Sequence, residues 1–415
     1  MSEARAQDAC PVPSAIVEKL FPHNAHVIGG FDPLPLRLPA CSPAFHQVAA
    51  SHGAYAVRLE GVSEETAEPF LRALGRVGGV AHTTPRAGEV DILLFATQPQ
   101  VEALRSQLLA STSELSRLAE EVVTTLSAYQ RTRFTLCCGE RKLEIGPRPL
   151  IMGILNCTPD SFYCGSRAFD EEAVLRGRSM VEAGADLLDV GGESTRPGST
   201  AVTVAEEIDR VVPVIEQLAA RLAVPISIDT SKARVAEAAL AAGATMVNDI
   251  SGLACDPHLA EVIAAAGVPV VLMHMRGSPA TMYEAARYRD LIGDIVRELR
   301  QALLRAQQAG IDPEVTLVDP GIGFAKTPQQ SFILLRHLAA LRSLGRPMVI
   351  GPSRKSFIGA VLDLPVEDRM EGTAAAVAVG VLAGAHILRV HDVEAMRRTA
   401  DVAAAIRSEG VGWIS

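Results

Sequence analysis

A sequence of 415 residues has room for one large α/β domain plus something smaller, and 48% hydrophobic with only 4% aromatic content calls for an aliphatic core. A net charge of −9 and a pI near 5.6 argue against general nucleic-acid binding, while allowing a local basic pocket for an anionic small molecule. No secretion-signal pattern is visible and the longest apolar run, Thr373 to Ala385, is too short to span a bilayer; seven cysteines without a CxxC pair read as free thiols, so a cytoplasmic protein is expected.

Residues 1–50 hold many Pro and Ala with weak periodicity and are expected to form an irregular lead-in. Residues 51–134 predict a small α+β domain. Ala54 to Leu59 and Val90 to Ala96 read as strands, and Ser63 with Glu64 and Glu65 starts a helix running to Leu74. A second helix runs from Pro99 to Leu109. Leu115, Leu118, Val122, Leu126 and Tyr129 fall at helical spacing and predict a long amphipathic helix to about Arg131. No catalytic constellation is found here, which leaves a structural or oligomerisation role as the plain expectation.

From residue 135 to 415 strands and helices alternate. Thr135 to Ile145 predicts a hairpin with Gly139-Glu140 at its turn, plugging the bottom of the large domain. Strands are expected near 150–156, 186–192, 225–230, 246–250, 269–275, 315–320, 347–352 and 385–391. Helices are expected between them, such as Glu171–Ala183, Glu206–Leu222, Lys232–Ala242, Asp290–Gln308, Gln329–Leu341 and Thr373–Leu382. Eight such units predict a TIM (β/α)8 barrel; a doubly wound open sheet is the alternative, weakened by the lack of a GxGxxG turn. The Ala-Gly-Ala signals at 183–185, 242–244 and 383–385 are helix stops, not phosphate loops.

In a TIM barrel the C-terminal strand ends converge on one mouth. They deliver Asn156, Asp189 with Glu193, Asp229, Asn248-Asp249, Met273-His274, Asp319, Ser353-Arg354-Lys355-Ser356 and Arg389 with His391-Asp392. Asp229, Asn248 and Asp319, with Lys355, suit a flat heterocycle with amino, ring N–H and oxo edges. Arg389, His391, Asn156 and the Thr195-Arg196 loop suit a phosphate-type anion, and the Asn156 oxygen can ligate Mg²⁺. Plainer readings stand beside these. Asp229 before Thr230-Ser231-Lys232 also fits a helix cap, and Glu193, Asp249 and Asp392 can make structural bridges. His274 fits a packed or supporting role better than a metal ligand, Met273 fits a pocket wall, and Arg354 can pair structurally.

Residues 150–415 resemble dihydropteroate synthase, of the pterin-binding TIM-barrel superfamily. The resemblance rests on MGILNCTPDSF, DLLDVGGESTRPGS, SIDTSK, VNDISG, LMHMRG, DPGIGFAKT, GPSRKSFIG and RVHDV in that order. It implies joining of 6-hydroxymethyl-7,8-dihydropterin diphosphate to p-aminobenzoate, with Mg²⁺ and an SN1-like departure of diphosphate. It further implies that Asp229, Asn248, Asp319, Lys355, Met273 and Phe324 hold the pterin. Asn156, Thr195, Arg389 and His391 would bind diphosphate, and Thr195, Arg196, Pro197 and Ser356 p-aminobenzoate. Asp229, Lys355 and Arg389 are the catalytic candidates. Two positions depart from the usual pattern: Cys164 replaces the acid of the first loop, and Ala325 stands where Gly is common.

A methyltetrahydrofolate-dependent methyltransferase is the second reading, disfavoured because it needs no diphosphate clamp such as the SRKS, RVHDV and STRPG segments would supply. A non-catalytic pterin-binding protein is the third. The run Thr373 to Ala385 is apolar nearly all round its helix, which favours a homodimer contact there.

Overall fold

The apolar runs that end in polar residues become parallel strands in the computed structural model, which describes residues 22–30, 53–157, 167–194, 202–278, 281–282 and 284–413. Before them comes an antiparallel sheet of β1 (His26–Gly30), β2 (Ala54–Ser63), β3 (Val80–Arg86) and β4 (Glu89–Thr97), in the order β1-β2-β4-β3. Helices α1 (Glu64–Arg76), α2 (Gln98–Leu108) and α3 (Ser113–Gln130) pack on it. Inward residues of the strands (Val57, Leu59, Ile92, Leu94) meet Phe70, Leu104, Leu118 and Val122 of the helices in one core. Ser63 caps α1 by accepting from the Thr66 amide at 3.2 Å.

Two strands here differ from the sequence expectation. The stretch 1–50, expected to be irregular, contributes β1, and β3 was not anticipated. HVIGG shows no alternation, and VAHTTPR is half-buried or exposed throughout. Both owe their strand form to a long-range or hairpin ladder, β1 on β2 and β3 on β4, rather than to an alternating apolar pattern of their own.

The hairpin forms as β5 (Phe134–Cys138) and β6 (Arg141–Ile145), with Gly139 at φ +63 in the turn. Phe134, Leu136, Cys138 and Ile145 close the bottom of the barrel against Met152, Leu187, Met246, Val271, Leu317, Val349 and Ile387. The barrel strands are β7 (Leu150–Asn156), β8 (Leu187–Gly191), β9 (Ile226–Asp229), β10 (Met246–Asp249), β11 (Val270–Met273), β12 (Thr316–Asp319), β13 (Val349–Ile350) and β14 (Ile387–Val390). All neighbours are parallel, in the order β12-β11-β10-β9-β8-β7-β14-β13, and a parallel bridge between Val318 and Met348 joins the two ends. That closure makes a barrel and removes the open-sheet alternative.

Outside it lie α4 (Arg167–Glu182), α5 (Val204–Arg221), α6 (Ala233–Ala241), α7 (Leu259–Ala266), α8 (Leu291–Gln308), α9 (Pro328–Arg336), α10 (Ser356–Leu362), α11 (Met370–Leu382) and α12 (Val393–Arg407). The expected helix 329–341 divides into α9 and a 3-10 segment, Leu338–Leu344, ended by Gly345 at φ +65. Among the described residues no helix is long and apolar enough to cross a membrane.

Candidate active site

Strand register puts the candidate residues on one level. Asn156 lies opposite Gly191, Gly191 opposite Asp229, Asp229 opposite Asn248, and Met273 opposite Asp319. In a parallel barrel these are the last residues of their strands, so the side chains share the C-terminal mouth.

The centre of the mouth is an ionic cluster. Arg389 donates through Nε to Asp189 Oδ2 and through Nη2 to Asp229 Oδ2, each at 2.6 Å. Asn248 Nδ2 donates to the same Asp189 oxygen at 3.0 Å. Asp189 is fully buried, and its Oδ1 has no hydrogen-bond partner. Burial pushes the Asp229 carboxyl up to about 7; Arg389 pulls it down, and Asp189 adds to the rise. Asp229 is therefore a carboxyl poised near neutrality, able to exchange a proton or a pair of hydrogen bonds with a ring.

A second cluster is built on the segment after β12. Burial raises the Asp319 pKa against the opposing pull of Lys355, and its Oδ1 accepts from the Gly321 amide at 2.7 Å. Gly321 has no substitute here: at φ +66, a Cβ would stand 2.1 Å from the His274 carbonyl oxygen. The Lys355 ammonium donates to the Ile322 carbonyl and sits 4.2 Å above the Phe324 ring. Burial draws its pKa down to about 8, while Asp319 opposes the fall. Met273 is buried in the wall beside these groups. Lys326, 1% exposed, donates to the Phe324 carbonyl and contacts His274 Nδ1, both at 2.9 Å. Burial lowers the His274 pKa to about 4, so the ring is neutral; its partners assign the proton to Nε2, donated to Glu298 at 2.9 Å.

Around the rim, Asn156 is half-buried and Ser356 is exposed at the first turn of α10. His391 Nδ1 meets Ser353 Oγ at 2.9 Å, and burial lowers the imidazole pKa to about 3, leaving it neutral. As a neutral ring it is a hydrogen-bonding group for an anion rather than a cation. Arg354 makes a two-pronged pair with Asp392, Nε to Oδ2 at 2.9 Å and Nη2 to Oδ1 at 2.6 Å, the structural pairing open to both from sequence. Asp249 accepts from Ser251 and Leu253 within its own turn and from Ser231 after the neighbouring strand β9. Glu193 accepts from the Val202 amide and from Lys232, which also reaches buried Glu207, so these charges clamp the two ends of the second loop. Thr195, Arg196, Pro197 and Cys164 lie outside the described residues.

Asp189, Lys232 and Lys326 were given no role from sequence. A carboxylate inside the otherwise apolar run LLDVG was the available signal for Asp189, because a buried charge needs a cation. Nothing local marks Lys326. Among the described residues no group of three or more His, Cys, Asp or Glu could hold a metal ion. The donor set fits a hard cation in one way: magnesium arriving on substrate phosphates, with the Asn156 oxygen as a protein ligand.

Comparisons with known proteins agree with this chemistry. A family model described as pterin binding enzyme matches residues 152–391. A dihydropteroate synthase of Synechocystis sp. is 46% identical over 271 residues, covering 65% of this chain and 93% of that protein. The solved structure of Xanthomonas albilineans dihydropteroate synthase with 4-aminobenzoic acid superimposes with a TM-score of 0.63 at 45% identity, covering 67% of this chain and 99% of that one. A probable bifunctional folylpolyglutamate synthase/dihydropteroate synthase of Haloferax volcanii is 39% identical over 328 residues, 77% of this chain and 39% of that protein. That share exceeds what the hairpin and barrel can supply, so the match enters the N-terminal unit.

Proposed function

This chain belongs to the pterin binding enzymes, and we infer from that premise that it is a dihydropteroate synthase of folate biosynthesis. It condenses 6-hydroxymethyl-7,8-dihydropterin diphosphate with p-aminobenzoate, yielding 7,8-dihydropteroate and diphosphate. The observation that carries the reading is the convergence of half-buried Asp229 and buried Asn248 and Asp319 with Lys355 over Phe324 at one barrel mouth, beside Arg389.

Asp229, Asn248 and Asp319 accept from and donate to the pterin edge, Lys355 donates to an oxo or ring acceptor, and Met273 and Phe324 flank the ring. Asn156, His391 and Arg389, with Thr195 of the second loop, face the diphosphate. Arg389 reaches it with the N–H donors that Asp189 and Asp229 leave open. Bound Mg²⁺ would supply charge neutralisation on the departing diphosphate. Diphosphate leaves first, in an SN1-like step, and the negative side chains Asp229 and Asp319 offset positive charge on the pterin. The aromatic amine then attacks without a strong base. Thr195, Arg196, Pro197 and Ser356 are the p-aminobenzoate residues on this reading, and the Glu193–Lys232–Val202 clamp fixes the two residues that flank the second loop.

Diphosphate release by the purified protein, with the pterin diphosphate and Mg²⁺, tests this directly. Release dependent on p-aminobenzoate, giving dihydropteroate and collapsing in Lys355→Ala and Arg389→Ala, supports the reading. Binding without product would put Cys164 at fault, and restoring Asp there would separate an impaired enzyme from a binding protein. We further place the protein in a reducing cytoplasm, which suits its free Cys137, Cys138 and Cys255. We also propose a homodimer across α11, whose Met370, Val379 and Leu382 are 40%, 44% and 49% exposed beside Val361 and Leu362 of α10.

A further inference from the structure

Among the described residues the N-terminal unit supplies no group to the mouth, yet buried charge fastens it to a helix behind the pterin half. Glu60 on β2, 7% exposed, accepts from Asn24 at 3.2 Å and from Arg297 of α8 at 2.6 Å. Arg58 pairs with Asp290, the N-cap of α8. Gly293 permits the approach, since a Cβ there would lie 2.6 Å from Glu60 Oε1; its carbonyl accepts from Asn24 at 3.1 Å. Arg300, one turn further along α8, donates to Asn24 Oδ1 at 2.8 Å.

From Arg297 a relay of direct contacts runs to the site. Arg297 donates to Asp294 at 2.9 Å, and Asp294 accepts from Arg276 at 3.1 Å. Arg276 Nε donates to Glu298 at 3.0 Å, and Glu298 accepts from His274 at 2.9 Å. His274 holds Lys326, and Lys326 holds the carbonyl of Phe324, whose ring lies under Lys355. Arg276 also lies 4.0 Å over the Tyr288 ring, and the Tyr288 hydroxyl donates to the Ala325 carbonyl at 2.9 Å. Residues 324–326 are thus held by a segment that the N-terminal unit grips. Exposed ion pairs of this kind contribute little. At the barrel end, however, His274 and Lys326 are almost fully buried, so losing one leaves its neighbour's polar atom without a partner or water.

We propose that the N-terminal unit positions the pterin half of the site through this relay, with Glu60 and Lys326 as positioning residues at its two ends. The inference rests on the dihydropteroate synthase reading above. Its consequence is selective, because the relay ends at Phe324 and Lys355 and does not reach the Glu193–Val202 clamp. Pterin diphosphate affinity depends on Glu60, and p-aminobenzoate affinity does not.

The test uses the full chain as wild type, Glu60→Gln, Lys326→Met and the double variant, with melting curves to establish folding. Arg131→Gln serves as control, because it cuts a different tie between the two units, the pair of Arg131 with Glu314 at 3.0 Å. The readouts are equilibrium titration with pterin diphosphate and KM for each substrate. Glu60→Gln should weaken pterin diphosphate binding by about 2- to 30-fold, the range of remote couplings, with KM for p-aminobenzoate unchanged. The double variant should be no worse than Lys326→Met alone. Additive losses, a matching rise in KM for p-aminobenzoate, or an equal effect of Arg131→Gln would each overturn the proposal. Should Lys326→Met fail to fold, His274→Gln cuts the relay one link earlier and takes its place in the cycle. A wild type that forms no dihydropteroate, and gains none on Cys164→Asp, refutes the enzymatic reading, while the binding titration still decides the coupling.

Discussion

Replacing Arg389 by Met removes the guanidinium from between Asp189 and Asp229 while keeping much of the side-chain volume. Each carboxylate loses a 2.6 Å partner; Asp189, at 0% exposure, cannot exchange it for water, and Asp229, at 13%, can do so only in part. Stranding buried charge in this way costs about 3–5 kcal/mol. Asp229 has a partial escape. Burial already holds its pKa at about 7 against the pull of Arg389, so without that pull it keeps its proton to higher pH. The unfolded carboxyl titrates at about 3.9, so above that pH the native state binds the extra proton and stability falls as pH rises. Below pH 7 Asp229 is protonated in both proteins, and the difference between them is smallest. Above pH 7 wild-type Asp229 ionises beside its cation while the variant's cannot, and the loss grows by at most about 1.4 kcal/mol per pH unit. Urea unfolding followed by circular dichroism between about pH 6 and 9 measures both slopes. A loss that is flat across that range, or below about 1 kcal/mol at its alkaline end, would refute the burial argument.

Two further expectations concern particular residues. Ala325 is fully buried at φ +48, a conformation that costs a residue with Cβ about 1–2 kcal/mol, against about 0.5–1 kcal/mol of extra chain entropy for Gly. Ala325→Gly should therefore raise stability by up to about 1 kcal/mol and Tm by a few degrees; a fall in Tm would mean that the buried methyl packs more strongly than the strain costs. For the α11 face, sedimentation should find a dimer in the wild type and a folded monomer in the Val379→Glu, Leu382→Glu double variant. A monomeric wild type removes the proposed interface.

The barrel was legible because its signals are local. Each strand is an apolar run closed by a polar residue, as in β7 with Asn156 and β12 with Asp319, and each helix carries its own period and stop. The ladder strands β1 and β3 were not, since HVIGG buries adjacent His26 and Val27 without alternation, VAHTTPR is half-buried or exposed, and both gain their form from β2 and β4. The polar groups of the mouth could be named from their strand ends, but their partners could not. Arg389 and Asp189 are 200 positions apart, and Lys326 and His274 are 52 apart. Only the lateral pairing of strands, β8 and β14 on either side of β7 and β11 beside β12, brings them within hydrogen-bonding distance.

That separation changes how Arg389 works. Read from sequence, it is a free cation waiting for diphosphate; in the structure two of its five N–H donors are committed, Nε to Asp189 and Nη2 to the carboxyl expected to hold the pterin. Asp189, with no room for a ligand, keeps the arginine in place. On the proposed assignment the two halves of the pocket share one guanidinium: Asp189 and Asp229 fix its Nε and Nη2 edge, and its remaining N–H donors are the ones open to the diphosphate.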